Sequence, residues 1–149
     1  MIGEKIMSDI ILVSGGFDPI HSGHIKLINE AHKYGDVVVL LNSDQWLRNK
    51  KGKEFLSFDE RKIIMKNIKG VKEVIEFDDS DKTCIDGIQK AKLLYKNNKI
   101  KFANGGDRKN DTTPEKKFCD RNNIETLFGI GGDDKSNSSS WILNKWNEK

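Results

Sequence analysis

The feature that most constrains the fold of this sequence is an alternation of period, in which short aliphatic runs give way repeatedly to amphipathic stretches. Residues 10–13 form a β-rich run ending at Gly15-Gly16, and residues 37–41 form a second. Both are apolar throughout, the pattern of strands covered on two faces. Residues 71–77, 100–103 and 124–128 supply three more strands. Between them, residues 24–31 (stopped by Gly35), residues 59–68 (with Gly70 just past the end) and residues 83–95 carry helical spacing. Pro114 suits the first turn of a helix running to about residue 120, and residues 138–146 read as a capped final helix. Alternating strands and helices require crossover connections of one hand. They predict an α/β fold, a Rossmann-like parallel sheet of five strands flanked by helices. A chain of 149 residues fits one domain over 1–149.

Composition narrows the partners. Apolar residues at 36% suffice for a core, and charged residues at 33% imply a very polar surface. The formal net charge of +3 is too small to demand nucleic acid, although it suits a site holding several phosphates. No clustered aromatics lie between the basic residues, which argues against an RNA-binding surface. Residues 37–41 are far too few to span a bilayer, and residues 1–7 lack the apolar stretch of a signal peptide, with Met7 a second candidate start. Cys84 and Cys119 have no ligand-like spacing, so neither a disulfide framework nor a zinc site is suggested. These features predict a cytoplasmic protein without membrane or nucleic-acid partners.

Ligands of open α/β sheets bind beyond the carboxyl ends of the strands. Three glycine-rich segments fall there: Gly15-Gly16, Gly105-Gly106-Asp107 and Gly131-Gly132-Asp133. The first continues as Phe17-Asp18-Pro19-Ile20-His21-Ser22-Gly23-His24, between a predicted strand and a predicted helix. Its glycines let backbone approach a phosphate, and the helix N-terminus offers N–H groups and partial positive charge. His21 and His24, three apart, can face one ligand, with Gly23 leaving room for a nucleotide. Imidazole donors fixed in advance stabilise the charge that gathers on an α-phosphate under attack. The same pair could ligate a metal, but no third or fourth ligand is evident nearby and no metal site is predicted.

This segment resembles the HxGH signature of the cytidylyltransferase-like nucleotidyltransferase superfamily. Asn42-Ser43-Asp44, Asp59-Glu60-Arg61, Gly105-Gly106-Asp107 and Ser138-Ser139-Ser140 fall where that superfamily places its later motifs. Two branches look similar: glycerol-3-phosphate cytidylyltransferases and heptose 1-phosphate adenylyltransferases. The resemblance implies that His21 and His24 contact the triphosphate, with Gly15, Gly16, Phe17, Asp18 and Gly23 forming the nucleotide loop. It implies acceptor contacts from Asp44, which could equally cap a turn, and from Arg61, which could equally be a helix-surface charge. Lys50 matches a phosphate-binding lysine. The next matching position is Gly52, so Lys53 is its candidate substitute, although a run such as Lys50, Lys51 and Lys53 is commonly only a solvated face. Asp107 falls near the nucleotide or acceptor. Trp46 reads either as pocket lining or as a half-buried core residue. Ser138, Ser139 and Ser140 would bind phosphate at a helix N-terminus or simply cap it. The arginine of that last motif falls at Asp133, leaving Lys135 as the nearest cation.

The expected reaction joins CMP, from CTP, to a small phosphorylated polyol or sugar and releases pyrophosphate. The alternatives are an adenylyltransferase using ATP and a sugar 1-phosphate, and a nucleotide sensor without turnover. Mg²⁺ is expected to accompany the triphosphate. A homodimer is implied by the resemblance alone.

Overall fold

The structure, a computed structural model, describes residues 7–105, 113–131 and 138–148. In chain order the elements are β1 (Ile10–Gly15), α1 (Ser22–His32), β2 (Asp36–Leu41), α2 (Asp44–Lys51), α3 (Phe58–Lys66) and β3 (Val71–Glu76). They continue with α4 (Ile85–Leu94), β4 (Ile100–Gly105), α5 (Pro114–Arg121), β5 (Glu125–Ile130) and α6 (Ser139–Asn147). The five strands form one sheet in the order β3-β2-β1-β4-β5, and every ladder is parallel. This is the α/β architecture that the alternating pattern predicts.

The aliphatic runs are continuous because the central strands are covered twice. Ile10, Leu12, Val38 and Leu40 pack with Ile88 and Ala91 of α4 and Cys119 of α5 on one face. Ile11, Val13, Val37 and Val39 pack with Ile28 and Ala31 of α1 and Met65 of α3 on the other. All eight strand residues are fully buried. Each such aliphatic side chain contributes about 1.5–3 kcal/mol by leaving water. Strand order reverses between β1 and β4, so crossovers of constant hand put α1 and α3 on one face and α4 on the other. All carboxyl ends emerge on one edge, and the crevice for a ligand lies where the order reverses. Among the described residues, no helix is long and apolar enough to cross a membrane.

One helix departs from the sequence expectation. Residues 44–51, for which the sequence pattern predicts no helix, form α2. Its apolar residues, Trp46 and Leu47, are adjacent and give no helical period. Local capping defines it instead. The Ser43 hydroxyl accepts from the Trp46 amide at 3.0 Å, and Gly52, at φ 93°, closes the helix with its amide donating to the Arg48 carbonyl.

Arg61 is also differently placed. Expected as an acceptor contact, it is only 1% exposed. Its Nε donates to the Leu56 carbonyl at 3.0 Å, and Nη1 donates to the Gly16 and Asn42 carbonyls at 3.0 and 2.8 Å. Nη2 donates to Asp44 Oδ1 at 2.7 Å. The guanidinium therefore ties together the chain just past β1, the chain just past β2 and the segment before α3. This corrects the phosphate-binding expectation, because burial and these four bonds commit the group to the protein interior. Asp44, expected at the acceptor, holds Arg61 through Oδ1 from the first turn of α2.

Removing a buried charge strands its partners. Arg61→Met leaves three main-chain carbonyls and a half-buried carboxylate without their donor, and is expected to lower unfolding free energy by about 3 kcal/mol. Urea denaturation measures this, and a loss indistinguishable from zero would contradict the assigned contacts.

Candidate active site

At the N-terminus of α1 the two imidazoles cap the helix and each other's backbone. His21 is the N-cap residue in extended conformation, and its Nδ1 accepts from the Gly23 amide at 3.0 Å. His24 Nδ1 reaches back to accept from the His21 amide at 3.2 Å. The arrangement has the reciprocal logic of a capping box, with rings in place of a hydroxyl and a carboxylate. The two rings stack with centroids 3.8 Å apart and planes 29° apart. Phe17 meets His24 edge-on, at 4.8 Å and 68°.

This geometry selects the tautomer. A ring nitrogen that accepts from an amide carries no proton, so the hydrogen of each neutral imidazole resides on Nε2. Burial, and secondarily the charge of neighbouring His21, push His24 down to about 3. His24 is thus a neutral Nε2–H donor across the physiological range. The cap also consumes the Gly23 amide, while the His24 amide bonds the His21 carbonyl at 3.0 Å. Part of the expected set of open N–H groups is thus committed within the helix end, and the rings add Nε2–H donors on the positive end of the helix dipole.

The loop before the histidines is held from below. Asp18, 2% exposed, accepts from the Phe55 amide at 2.6 Å and the Leu56 amide at 2.7 Å. Lys51 Nζ lies 3.2 Å from Asp18 Oδ2 and also donates to the Asp18 carbonyl. Asp18 therefore shapes the loop, as the resemblance implies, but its carboxylate serves the 51–56 segment and not a nucleotide. Phe17, 5% exposed with φ 50°, packs in the core beneath His24. Gly16 is also a packing residue: a Cβ there would lie 2.7 Å from a Leu47 methyl of α2. Gly15 ends β1, and a Cβ there would lie 3.3 Å from the Phe17 ring.

The remaining expectations divide. Lys50 is exposed on α2 with Nζ 4.8 Å from the Trp46 ring centroid, while neighbouring Lys51 reaches the signature loop. Trp46 is half-buried against Gly16. Ser138 caps α6 by accepting from the Trp141 amide at 3.0 Å. The Ser139 hydroxyl donates to the Pro19 carbonyl at 2.8 Å, tying α6 to the signature loop, and Ser140 is exposed. Asp107, Asp133 and Lys135 lie outside the described residues. The sequence reading missed Asp79, which accepts from the Ser43 amide and hydroxyl at 2.8 and 2.7 Å and from Asn42 at 3.1 Å, fixing the start of α2. A separation of 36 residues leaves no local signal of that contact.

Comparison with known proteins agrees with this geometry. Glycerol-3-phosphate cytidylyltransferase of Bacillus subtilis is 39% identical over 66 residues, which cover 44% of this chain and 51% of that enzyme. The bifunctional protein HldE of Aliarcobacter butzleri is 35% identical over 81 residues, covering 52% of this chain and 16% of that protein. The chain thus spans about half the length of the first relative and a small part of the second. Among solved structures, the lipopolysaccharide core biosynthesis protein from Thermoplasma volcanium superposes with a TM-score of 0.61 at 23% identity, over 81% of this chain and 93% of that one. The Cytidylyltransferase-like family model matches residues 12–135. With that match, the parallel sheet and the paired imidazoles at its carboxyl edge, the chain belongs to the cytidylyltransferase-like family.

Proposed function

We propose that this chain transfers a nucleotide from a nucleoside triphosphate to the phosphate of a small polyol or sugar, with release of pyrophosphate. The observation that supports this reading best is the stacked pair of imidazoles whose Nδ1 atoms are both committed to backbone amides. A phosphate oxygen of the acceptor bonds to the α-phosphorus of the triphosphate. The bond from that phosphorus to the oxygen bridging the β-phosphate breaks, and pyrophosphate leaves with the electron pair. The attacking oxygen is already anionic, so no proton need be removed. Charge grows on the α-phosphate and leaving oxygens, where His21 and His24 donate from Nε2. Their geometry is set before substrate arrives, so little reorganisation opposes the step.

The triphosphate would enter with Mg²⁺. Among the described residues no three His, Cys, Asp or Glu side chains are grouped to hold an ion. The phosphate oxygens would therefore carry it, and bound there it shields their charge. Lys50 and exposed Ser140 are candidates for outer phosphate contacts. CTP is the first donor, from the likeness to the Bacillus subtilis cytidylyltransferase. ATP with a sugar 1-phosphate is the second, from the likeness to the HldE proteins and from Gly105-Gly106-Asp107. Consumption of a nucleoside triphosphate fits a cytoplasmic setting, and homodimerisation belongs to the same reading.

Two experiments test the role of the histidines. In His21→Asn and His24→Asn, Oδ1 can still take the backbone amide that Nδ1 takes, but no donor remains at the ε position. Each variant is expected to keep its urea midpoint and lose roughly a hundredfold or more in kcat for pyrophosphate release. Unchanged turnover would remove the histidines from the mechanism, and triphosphate binding without release in the unmodified chain would mark a sensor. The second experiment follows stability with pH. Unfolded His24 takes its proton near 6.5, whereas the folded ring resists until about 3. Its contribution is complete above pH 6.5 and is lost as pH falls from 6.5 through 3. Thermal midpoints are expected to fall over that window, and less steeply in His24→Asn. Equal slopes would contradict the buried, neutral ring.

A further inference from the structure

The loop between β3 and α4 carries a buried carboxylate that the reaction described above does not use. Asp79 is 8% exposed. Its Oδ2 accepts from the Asn42 side-chain amide at 3.1 Å and from the Ser43 backbone amide at 2.8 Å. Its Oδ1 accepts from the Ser43 hydroxyl at 2.7 Å. Among the described residues no cation pairs with it. A carboxylate taken from water without a counter-charge depends on its hydrogen-bond donors, so Asp79 and the two residues it holds are fixed together.

Both of those residues lead to the signature loop. The Asn42 backbone amide donates to the Gly15 carbonyl at 3.0 Å, and the Asn42 carbonyl accepts from Arg61 Nη1 at 2.8 Å. The same Nη1 donates to the Gly16 carbonyl at 3.0 Å. Ser43 caps α2, whose Leu47 packs against Gly16. Gly15 and Gly16 run directly into Phe17, whose ring meets that of His24 edge-on. Two routes of direct contact therefore join Asp79 to the support beneath His24. One passes through Asn42 and Arg61, the other through Ser43 and α2.

We infer that Asp79 is a positioning residue for His24: through Asn42 and Ser43 it sets residues 15–17, and through Phe17 the imidazole. The inference rests on the transfer reading above and adds to it a residue from a loop two strands away from β1. The role belongs to the hydrogen bonds and not to the charge. Asparagine can make the same bonds. Its Oδ1, placed where Oδ2 lies, accepts from both amides, and its Nδ2 donates to the Ser43 oxygen, which keeps a second lone pair for the Trp46 amide. Glutamate keeps the charge, but its extra methylene moves the oxygens out of register with Asn42 and Ser43.

The test uses the full chain and its Asp79→Asn and Asp79→Glu variants, each studied well below its urea midpoint. The kcat and triphosphate KM of pyrophosphate release are measured, together with the ring nitrogen shifts of His24. Asp79→Asn is expected to keep kcat within about threefold and to leave the ring signals in place. Asp79→Glu is expected to lose roughly tenfold in kcat at unchanged triphosphate KM and to move the ring signals. A loss in Asp79→Asn equal to or greater than that in Asp79→Glu would assign the effect to charge and overturn the inference. So would an Asp79→Glu variant with parental kcat and ring signals and only a lower urea midpoint, the mark of a purely structural contact. No pyrophosphate release from the unmodified chain would sink the transfer reading instead, and the ring signals of the two variants would still decide whether Asp79 positions His24.

Discussion

Two backbone amides decide what the histidines of this protein can do. By donating to Nδ1 of His21 and of His24, the amides of Gly23 and His21 fix the ring orientations and place each ring proton on Nε2. A hydroxyl or carboxylate cap would stabilise the same helix end and present no such donors. In the proposed reaction, the contacts that cap the helix also orient the donors toward the transition state. The stacking of the rings at 3.8 Å is tolerable only while they do not both carry charge, and the burial of His24 enforces that condition on its ring.

Everything around the pair holds it to the sheet edge. Reversal of strand order opens the crevice beside β1, where α1 begins. Buried Arg61 ties the carbonyls of Gly16 and Asn42, so the chain ends leaving β1 and β2 cannot move apart independently. Asp18 anchors the signature loop to the Phe55 and Leu56 amides, and Ser139 anchors α6 to Pro19. A family signature of four residues thus works only with partners scattered from Lys51 to Ser139. Their burial explains why several polar residues near the site face inward rather than toward a ligand.

The sequence made the sheet legible because β1 and β2 are buried on both faces, and such strands must be aliphatic without interruption. The signature loop was legible because glycine and histidine at that spacing follow directly from strand end to helix start. Helix α2 was not, since Trp46 and Leu47 are adjacent and its stability comes from Ser43, Gly52 and the distant Asp79. The role of Arg61 was misread for a related reason. A charge or a missing side chain in sequence does not say whether solvent or another helix fills the space beside it. Arg61 bonds Gly16, 45 positions away, and Gly16 yields its space to Leu47. Long-range contacts of this kind leave no periodic trace.

The most direct measurement is the nitrogen chemical shift of the two rings, recorded by long-range proton–nitrogen correlation on labelled protein at neutral pH. Both Nδ1 atoms should resonate as unprotonated, hydrogen-bond-accepting nitrogens and both Nε2 atoms as protonated ones. Either ring found with its proton on Nδ1, or His24 found charged at neutral pH, would contradict the account.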